Sequence, residues 1–319
     1  MSMTAAPHEP VLREVPMHLL RPAEPGVGVV VRNDRCTAGP KAAGFVRHLE
    51  IDVSGTPLER QCFPGQSIGV IPEGVDDKGR PHKVRLYSLC SPASGEDGQG
   101  KVYATTVKRT IDEHWETHRL FLGVASNLLC DSQVGDRLRV SGPNGKRFVL
   151  PQDLHAHDYT FFATGTGIAP FRGMLMELFA AGFKGRVTLI MGSPYATDLL
   201  YHDTLTTMQR EQPGFAYLTA ISREPGGPHG RQYVQDRLRT DRDRLLPQLT
   251  SERNLIYICG LAGMELGIFK ELALLLPPDS LEQYIKADAE ALAHIDSWER
   301  RMIHKEVRPT RRVMMEVYA

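Results

Sequence analysis

Two short segments, one in each half of the chain, combine residue types that can hold a nucleotide cofactor. The first, Arg85-Leu86-Tyr87-Ser88, offers a cation for a phosphate, an aromatic ring that can stack on a flat heterocycle, and a hydroxyl for the edge of that heterocycle. Together these groups predict a flavin site. The second, Gly165-Thr166-Gly167-Ile168-Ala169-Pro170, follows a short apolar run and leads into a helical pattern. Its glycines let backbone amides approach a pyrophosphate at a helix N-terminus, which predicts a second nucleotide site.

The segments around both motifs make this interpretation specific. Alone, each motif is common, because R-x-Y-S is short and a G-T-G before a helix is often only a tight turn. Over roughly residues 25 to 318, however, the chain closely resembles the plant-type ferredoxin–NADP reductases, and the matching segments occur in the family's order. They are Gln66–Gly74, Pro81–Ser88, Val107–Arg109, Ser126–Asp131, Ser141–Pro143, Ala163–Arg172, Ser222–Glu224, Cys259–Leu261, Gly263–Glu265 and Glu316–Tyr318.

The resemblance implies that FAD is bound chiefly by the first half of the chain. Arg85 then pairs with the pyrophosphate, Tyr87 stacks on the isoalloxazine, and Ser88 hydrogen-bonds near its reactive nitrogen. Trp115 lies in a loop that departs from the family, and it is either a stacking partner for the adenine of FAD or simply a loop aromatic. The other FAD contacts that the resemblance implies are Leu86, Thr106, Val107, Lys108, Val124, Ala125, Ser126, Thr166 and Tyr318.

A nicotinamide nucleotide is expected at the carboxyl ends of the strands in the second half, where doubly wound sheets bind their ligands. A 2′-phosphate needs a forked cation and hydroxyl donors, whereas the ribose of NAD usually meets a carboxylate. By the resemblance, Ser222, Arg223, Arg231 and Tyr233 line a 2′-phosphate pocket, which favours NADP. Alternatively, Arg223 and Arg231 are solvated loop charges. The further NADP contacts that the resemblance implies are Gly165, Thr166, Gly192, Pro194, Gln235, Cys259, Gly260 and Leu261.

The resemblance also implies the catalytic residues. Ser88, Cys259 and Glu316 match the family's trio at the contact between flavin and nicotinamide, and Tyr318 matches a C-terminal ring that covers the flavin. The sequence departs from the family at its end, where Ala319 follows the tyrosine. Without the resemblance, Cys259 would be interpreted as a buried apolar thiol at the end of a strand, a common environment for cysteine.

The hydrophobic pattern predicts two domains of different architecture. In the first half, apolar runs separated by Gly, Pro and Asp are typical of an antiparallel barrel; the runs are Val27–Val31, Phe45–Ile51, Ser67–Ile71, Arg85–Leu89, Val102–Val107 and Arg137–Val140. In the second half, predicted strands and helices alternate, which indicates a doubly wound parallel sheet. The strands are Tyr159–Ala163, Val187–Met191, Phe215–Ile221 and Leu255–Cys259, and the helices are Pro170–Ala181, Leu199–Glu211, Gln232–Arg239 and Gly263–Leu275.

We therefore expect a two-domain fold of the β plus α/β type. A flexible N-terminal arm is predicted over residues 1–25, an antiparallel β-barrel over residues 26–154, and a doubly wound parallel-sheet domain over residues 155–319. The resemblance assigns FAD to the barrel and NADP to the parallel-sheet domain.

Composition narrows the class of protein and its compartment. The formal net charge of the 319 residues is zero, so no global field attracts nucleic acid or an anionic membrane. The five cysteines lack the spacing of a metal or cluster site, so no metal is expected, and their dispersal favours a reducing compartment, here the cytoplasm. The first 25 residues have little apolar content, which argues against a secretory signal and a membrane span; a cleaved organelle-targeting segment is the alternative, and Glu9, Glu14 and Glu24 disfavour it.

These features predict an FAD-dependent oxidoreductase. It would transfer electrons between NADP(H) and a separate one-electron carrier, a ferredoxin or flavodoxin, by hydride exchange with the flavin. Two alternatives are an NADPH-oxidising reductase component of a multi-component oxygenase and a flavin-binding regulatory module with vestigial activity. A basic run over residues 297–312 is either a docking surface for an acidic carrier or a solvated face.

Overall fold

The computed structural model describes residues 9–37, 46–225 and 230–318. They form two compact units. The first, here called the barrel unit, comprises Arg13–Leu150 and Ala169–Ala181. The second, here called the parallel-sheet unit, comprises the described residues of Met1–Leu12, Pro151–Ile168 and Gly182–Ala319. Two residues named in the sequence analysis, Phe45 and Ala319, lie outside the described ranges.

In its described residues before position 150, the barrel unit contains eight strands and a short helix. The strands are β1 (Gly26–Arg35), β2 (Val46–Asp52), β3 (Ser67–Val70), β4 (Arg85–Ser88), β5 (Val102–Lys108), β6 (Ile111–Glu113), β7 (Leu120–Leu122) and β8 (Arg137–Asn144). Six of them form one antiparallel sheet in the order β4-β3-β8-β1-β2-β5, while β6 and β7 form a separate hairpin. Helix α1 (Val124–Asp131) begins directly after that hairpin.

The six-stranded sheet closes where β4 meets β5. Directly after β4, Leu89 forms a bridge with Thr105, and the Cys90 amide donates to the Ala104 carbonyl at 2.9 Å. Side chains alternate between the two faces of each strand, and the inward ones form an apolar core in which each residue is at most 3 % exposed. The core includes Val30, Leu49, Ile51, Ile68, Val70, Tyr103, Val107, Leu138 and Val140. The predicted antiparallel barrel is confirmed.

The described part of the predicted N-terminal arm, residues 9–25, is bonded to neighbouring backbone. The Leu20 and Gly142 amides donate to each other's carbonyls at 3.0 and 2.8 Å, and the Gln66 side-chain amide donates to the Pro16 carbonyl at 2.8 Å. The stretch has little apolar content of its own, but its backbone groups find partners at β8 and at the buried Gln66. Residues 1–8 of the predicted arm lie outside the described ranges.

The parallel-sheet unit is built on five strands. They are β9 (Asp158–Thr164), β10 (Val187–Ser193), β11 (Phe215–Ile221), β12 (Asn254–Leu261) and, after the short strands β13 (Ile285–Ala287) and β14 (Val307–Pro309), β15 (Val313–Tyr318). The five strands are parallel and lie in the order β11-β10-β9-β12-β15. Strand order therefore reverses between β9 and β12, the position at which doubly wound sheets bind nucleotides.

Helices connect these strands. They are α2 (Ala169–Ala180), α3 (His202–Glu211), α4 (Arg237–Thr240), α5 (Arg242–Leu249), α6 (Met264–Leu275), α7 (Pro278–Leu281) and α8 (Ala289–Ala293). Although α2 follows β9 in the chain, it belongs to the barrel unit, because Arg172 forms a bidentate ion pair with Glu96 at 2.6 and 3.0 Å. None of the helices in the described ranges is long and apolar enough to cross a membrane.

The predicted doubly wound sheet is confirmed, with two differences. The predicted helix over Gln232–Arg239 is a 3₁₀ turn, Val234–Asp236, followed by the short helix α4. The sequence pattern identified Glu316–Tyr318 only as a motif, whereas these residues form the end of a fifth strand. As an edge strand with a glutamate among its apolar residues, β15 has a weaker hydrophobic signal than the buried central strands.

Candidate functional site

Strand β4 carries the flavin-type motif on the barrel unit. Arg85 and Leu86 are exposed, and Tyr87 and Ser88 are half-buried. The Tyr87 ring packs against the barrel core, and its burial raises the pKa of the hydroxyl to about 12. The phenol is therefore neutral at physiological pH and presents an uncharged ring.

An open groove of about 570 Å³ begins at this strand. Arg85 and Tyr87 are two residues apart, so they lie on the same face of β4, and both line the groove. The Arg85 guanidinium donates to the carbonyls of Lys83 at 3.4 Å and Val84 at 3.2 Å. The other lining residues are Pro72, Val75, Asp76, Asp77, His82, Lys83, Thr110, Leu120, Phe121, Leu122, Gly123, Val124, Ala125 and Ser126.

The N-terminus of α1 forms another part of the groove wall. The Ser126 hydroxyl donates to the Gly123 carbonyl at 3.1 Å and accepts the Thr110 amide at 3.1 Å, which fixes the start of the helix. The amides of Val124 and Ala125 belong to the first turn, where no carbonyl within the helix accepts them. No acidic residue occupies that turn. A cation and a helix N-terminus on one groove fit a diphosphate.

The structure does not bring all predicted FAD contacts to this groove. Thr106 and Val107 are 5 % and 0 % exposed, and Lys108 lies at the exposed end of β5. The Val107 side chain belongs to the barrel core, because the strand alternation turns it inward. The Val107 side chain therefore cannot reach a ligand, whereas the exposed Lys108 can.

The hairpin of β6 and β7 contributes apolar residues that the motifs did not identify. Leu120, Phe121 and Leu122 line the groove although all three are exposed, Phe121 at 63 %. Trp115, the predicted adenine partner, lies in the loop of the same hairpin at 80 % exposure and is not among the lining residues. The signal that could have revealed the hairpin is the Leu-Phe-Leu run, since consecutive exposed apolar residues usually mark a binding surface.

On the parallel-sheet unit, glycines allow close contact between the ends of β9 and β12. A Cβ on Gly167 would stand 2.2 Å from the Cys259 carbonyl oxygen, and one on Gly260 would stand 2.1 Å from Thr164 Oγ1. Gly165 adopts φ +54° and faces open space, with no atom within 4 Å of the position of a Cβ. The predicted turn therefore leaves room for a ligand at the switch point of the sheet.

The pairing of β12 with β15 places three predicted residues together. Cys259 lies opposite Glu316, and Leu261 lies opposite Tyr318. Burial, assisted by the neighbouring Glu316, raises the pKa of the Cys259 thiol well above its ordinary value. Burial also raises the pKa of Glu316 to about 7. The thiol is thus protonated at neutral pH, and the carboxyl is poised between its two protonation states.

Tyr318 is held at both ends. Its hydroxyl lies 2.8 Å from Thr166 Oγ1, and its carbonyl accepts the Ala262 amide at 2.8 Å. The ring is 40 % exposed. Thr166 and Tyr318, which were predicted separately as FAD contacts, are therefore in direct contact with each other.

The predicted 2′-phosphate residues follow the end of β11. The Ser222 and Arg223 amides donate to the carbonyls of Ser193 at 3.0 Å and Pro194 at 2.9 Å, which fixes this loop beside the end of β10. Arg223, Arg231 and Tyr233 are exposed. Residues 226–229, between the two arginines, lie outside the described ranges.

Three neighbours complete this rim. The Glu224 carboxylate accepts the Ala196 amide at 3.3 Å, so it is bonded to the loop after β10. Gly192 has Val234 and Thr164 near its Cβ position, at 2.7 and 3.0 Å. Gln235 is half-buried and packs near Gly267 of α6. Gly192 and Gln235 thus support the rim by packing.

The basic run over residues 297–312 is largely neutralised within the unit. Arg312 is 3 % exposed and donates to the Asn254 carbonyl at 3.1 Å, so it cannot meet a partner protein. Three other arginines form ion pairs: Arg300 with Glu265, Arg301 with Glu299, and Arg311 with Glu9. Lys305 and Arg308 are exposed, and Arg308 lies opposite the exposed Lys286 in the pairing of β13 with β14.

A cluster of His48, Glu50 and Glu96 in the barrel unit has the atom spacing of a metal site. Its carboxylates, however, already have cationic partners: Glu96 pairs with Arg172, and Glu50 pairs with Arg32 at 3.1 Å and bonds to His48 at 3.1 Å. The cluster is therefore explained as a buried ionic network that fixes α2 and β2.

Comparisons with known proteins agree with this geometry. A family model described as an oxidoreductase NAD-binding domain matches residues 161–269. A ferredoxin–NADP reductase from Spirulina sp. is 38% identical over 262 residues, which covers 80% of this chain and 88% of the relative. The chloroplastic root-type isozyme from Nicotiana tabacum is 35% identical over 317 residues, covering 96% and 79%. A solved ferredoxin-NADP+ reductase from Plasmodium falciparum shares the fold, with a TM-score of 0.69 at 22% identity over 94% of this chain and 98% of that one.

Proposed function

This chain belongs to the ferredoxin–NADP reductase family, and we propose which of its residues bind FAD, NADP(H) and ferredoxin. It is an oxidoreductase that transfers electrons between NADP(H) and ferredoxin and uses FAD. The relatives described above give no support to an oxygenase component or to a regulatory module with vestigial activity.

The observation that carries the proposal is the groove on the barrel unit. Its basic residue, aromatic ring and helix N-terminus are the groups that a diphosphate and a flat ring system require. Arg85 and the first-turn amides of α1 would hold the diphosphate of FAD, and Tyr87 would pack against the isoalloxazine. Bound FAD supplies the redox chemistry, by exchanging a hydride with NADP(H) and single electrons with ferredoxin.

The hairpin of β6 and β7 would cover the adenosine end of FAD. Phe121 is the better candidate than Trp115 for contact with the adenine, because it lines the groove while Trp115 does not. A cofactor that packs on Leu120, Phe121 and Leu122 would also bury apolar surface that is otherwise exposed to water. The same side chains give a physical reason for FAD in preference to the shorter FMN.

NADP(H) would bind to the rim of the parallel-sheet unit. Gly165–Ile168 leaves room for the pyrophosphate, and the guanidinium groups of Arg223 and Arg231 would flank the 2′-phosphate. Glu224 is the one acid of this loop motif. Its carboxylate accepts the Ala196 amide, so it already has a partner in the protein and does not act as the acceptor for the ribose of NAD. These features support NADP over NAD.

Three residues would act at the nicotinamide ring: one orients it, one exchanges a proton near it, and one occupies its place before it binds. Cys259 is a neutral thiol that gives the nicotinamide a close, uncharged wall, and its role is to orient the ring. Glu316, with a pKa near 7, can hold or release a proton beside it. Tyr318 would occupy the place of the nicotinamide ring until the nucleotide displaces it. The hydroxyl of Ser88 would donate to the flavin edge.

The relatives' names give ferredoxin as the partner. We propose that a flavodoxin can serve as a second electron carrier. Lys286 and Arg308 are like charges that face each other across β13 and β14, an arrangement that is unfavourable until an acidic group approaches. With Lys305 they form a small basic surface on the parallel-sheet unit. We propose that this surface, and not the whole basic run, attracts the acidic carrier.

A cytoplasmic location is proposed on the cysteines alone. None of the five forms a disulfide, and four are buried, as is usual in a reducing compartment.

The function itself is tested by measuring NADPH oxidation by the FAD-loaded protein, first with ferricyanide and then with cytochrome c plus ferredoxin or flavodoxin. Ferricyanide reduction without any carrier-dependent reduction of cytochrome c would contradict the proposed partner.

A further inference from the structure

Three consecutive amides in the turn between β12 and α6 are each held by a different partner. The bonds run from Leu261 to Thr164 Oγ1 at 2.8 Å, from Ala262 to the Tyr318 carbonyl at 2.8 Å, and from Gly263 to Glu265 Oε2 at 2.7 Å. The turn is therefore fixed at every residue. One of its three bonds leads directly to the C-terminal tyrosine.

Glu265 is the charged member of this set. It is 2 % exposed, and its second oxygen, Oε1, accepts from Nε of Arg300 at 2.8 Å. Because a buried carboxylate is unfavourable without a cation, the ion pair with Arg300 offsets the cost of burying Glu265. The carboxylate in turn holds Gly263, whose φ of +102° only glycine adopts readily.

Tyr318 depends on this turn for its position. Its carbonyl is bonded to Ala262, the residue next to Gly263, and its hydroxyl is bonded to Thr166. If the turn moves, the first of these bonds moves with it, and the ring is then held only through its hydroxyl and the rest of β15.

We propose that Glu265, with Arg300 as its counter-ion, is a positioning residue for Tyr318. The inference rests on the proposed function, in which Tyr318 occupies the place that the nicotinamide ring needs. Removing the cation weakens the hold of Glu265 on the turn, so the tyrosine leaves its place in a larger fraction of molecules. Oxidised nucleotide then binds more tightly, because less of its binding energy is used to displace the ring.

The test compares Arg300→Gln, Arg300→Lys and Arg301→Gln, each made alone and in combination with Tyr318→Ser. Arg300 has a half-exposed side chain, so its substitution leaves the core intact, and Arg301 belongs to the neighbouring exposed pair with Glu299. NADP+ is titrated into the FAD-loaded proteins, with its Kd and the charge-transfer absorbance recorded. Hydrogen exchange of residues 259–264 is measured on the same proteins.

Arg300→Gln is expected to lower the Kd for NADP+ by roughly three- to tenfold, to increase the charge-transfer absorbance, and to speed exchange in the turn. Arg300→Lys, which keeps the charge, should restore most of the wild-type behaviour, and Arg301→Gln should match wild type. In the Tyr318→Ser background Arg300→Gln should add no further change in Kd, because the ring that it releases is already absent.

Two results would overturn the inference while leaving the proposed function standing. In one, Tyr318→Ser tightens NADP+ binding but Arg300→Gln changes neither binding nor exchange. In the other, the effect of Arg300→Gln persists undiminished without the tyrosine, so that it acts by another route. If Tyr318→Ser itself changes nothing, the proposed role of Tyr318 is wrong, and the positioning role falls with it.

Discussion

Cys259 and Glu316 lie directly opposite each other in the parallel pairing of β12 with β15. The two residues are far apart in the chain, and they meet because β15 pairs with β12. Burial raises the pKa of both groups, and the carboxyl adds to the effect on the thiol. The pair therefore couples a neutral thiol to a carboxyl that titrates near physiological pH.

The raised pKa of Glu316 predicts a specific pH dependence of stability. The folded state binds the proton more tightly than the unfolded state, so the stabilisation is complete below the ordinary value of 4.5 and is lost as the pH rises through about 7. Glu316→Gln should therefore match wild type near pH 4 and exceed its free energy of unfolding by on the order of 3 kcal/mol near pH 8. Urea unfolding across this range measures the difference. The exposed Glu306→Gln is the control, and a difference independent of pH would contradict the raised pKa.

The groove predicts that purified protein is yellow and releases FAD, not FMN, on denaturation. Arg85→Ala removes a charge-assisted hydrogen bond to the diphosphate, typically worth about 1.5–3 kcal/mol, so the affinity for FAD should fall by roughly ten- to a hundredfold. Fluorescence titration of the apoprotein with FAD measures this. Arg139→Ala removes an exposed arginine of β8 outside the groove and should bind FAD as wild type does. A colourless protein that FAD cannot reconstitute would exclude the proposed site.

The rim of the parallel-sheet unit predicts cofactor preference. Arg223→Ala should raise KM for NADPH by roughly ten- to a hundredfold, because the 2′-phosphate loses one charge-assisted contact, and should change KM for NADH little. Ferricyanide reduction with each nucleotide gives both values. Arg242→Ala, an exposed arginine at the start of α5, serves as the matched control. Equal losses for the two nucleotides would place Arg223 away from the 2′-phosphate.

Tyr318 separates the contribution of a ring from that of a hydroxyl. Tyr318→Ser should tighten NADP+ binding by roughly tenfold and slow turnover, since the stacked ring no longer competes and release becomes slower. Tyr318→Phe keeps the ring and loses only the 2.8 Å bond to Thr166, worth about 1 kcal/mol, so its effect should be smaller. Titration of the flavin absorbance with NADP+ distinguishes the two. Equal behaviour of both variants would show that the hydroxyl, not the ring, matters.

The small basic surface predicts how the carrier binds. Lys305→Glu and Arg308→Glu should each raise KM for ferredoxin several-fold and reduce its dependence on salt, while kcat with ferricyanide stays unchanged. Arg311→Glu reverses a neighbouring charge that is paired with Glu9 and should have the smaller effect. Cytochrome c reduction at several ionic strengths measures all three. A larger loss from Arg311→Glu would move the docking site along the basic run.

Much of the fold was predictable because it depends on local patterns. Apolar runs separated by Gly, Pro and Asp in the first half and alternating strands and helices in the second are properties of neighbouring residues, and both architectures follow from them. The R-x-Y-S and G-T-G motifs, each common alone, indicated the two cofactor sites only together with the matching segments around them.

Other elements depended on contacts that no local pattern contains. Helix α2 follows β9 in the chain but belongs to the barrel unit, because Arg172 finds Glu96 there. The predicted helix over Gln232–Arg239 is a 3₁₀ turn, Val234–Asp236, followed by the short helix α4. For α2, a contact between residues distant in the chain decided which unit the helix joins.

The sequence by itself determined which residue types are present for the chemistry: a cation and ring for flavin, two arginines for a 2′-phosphate, and a C-terminal tyrosine. Only the tertiary structure decided which of them act together. It set Cys259 against Glu316, bonded Thr166 to Tyr318, buried Arg312 where no partner protein can reach it, and left Val107 in the barrel core. Burial sets the pKa values of these side chains, and strand register sets which of them touch. Burial and register both depend on residues that are distant in the chain.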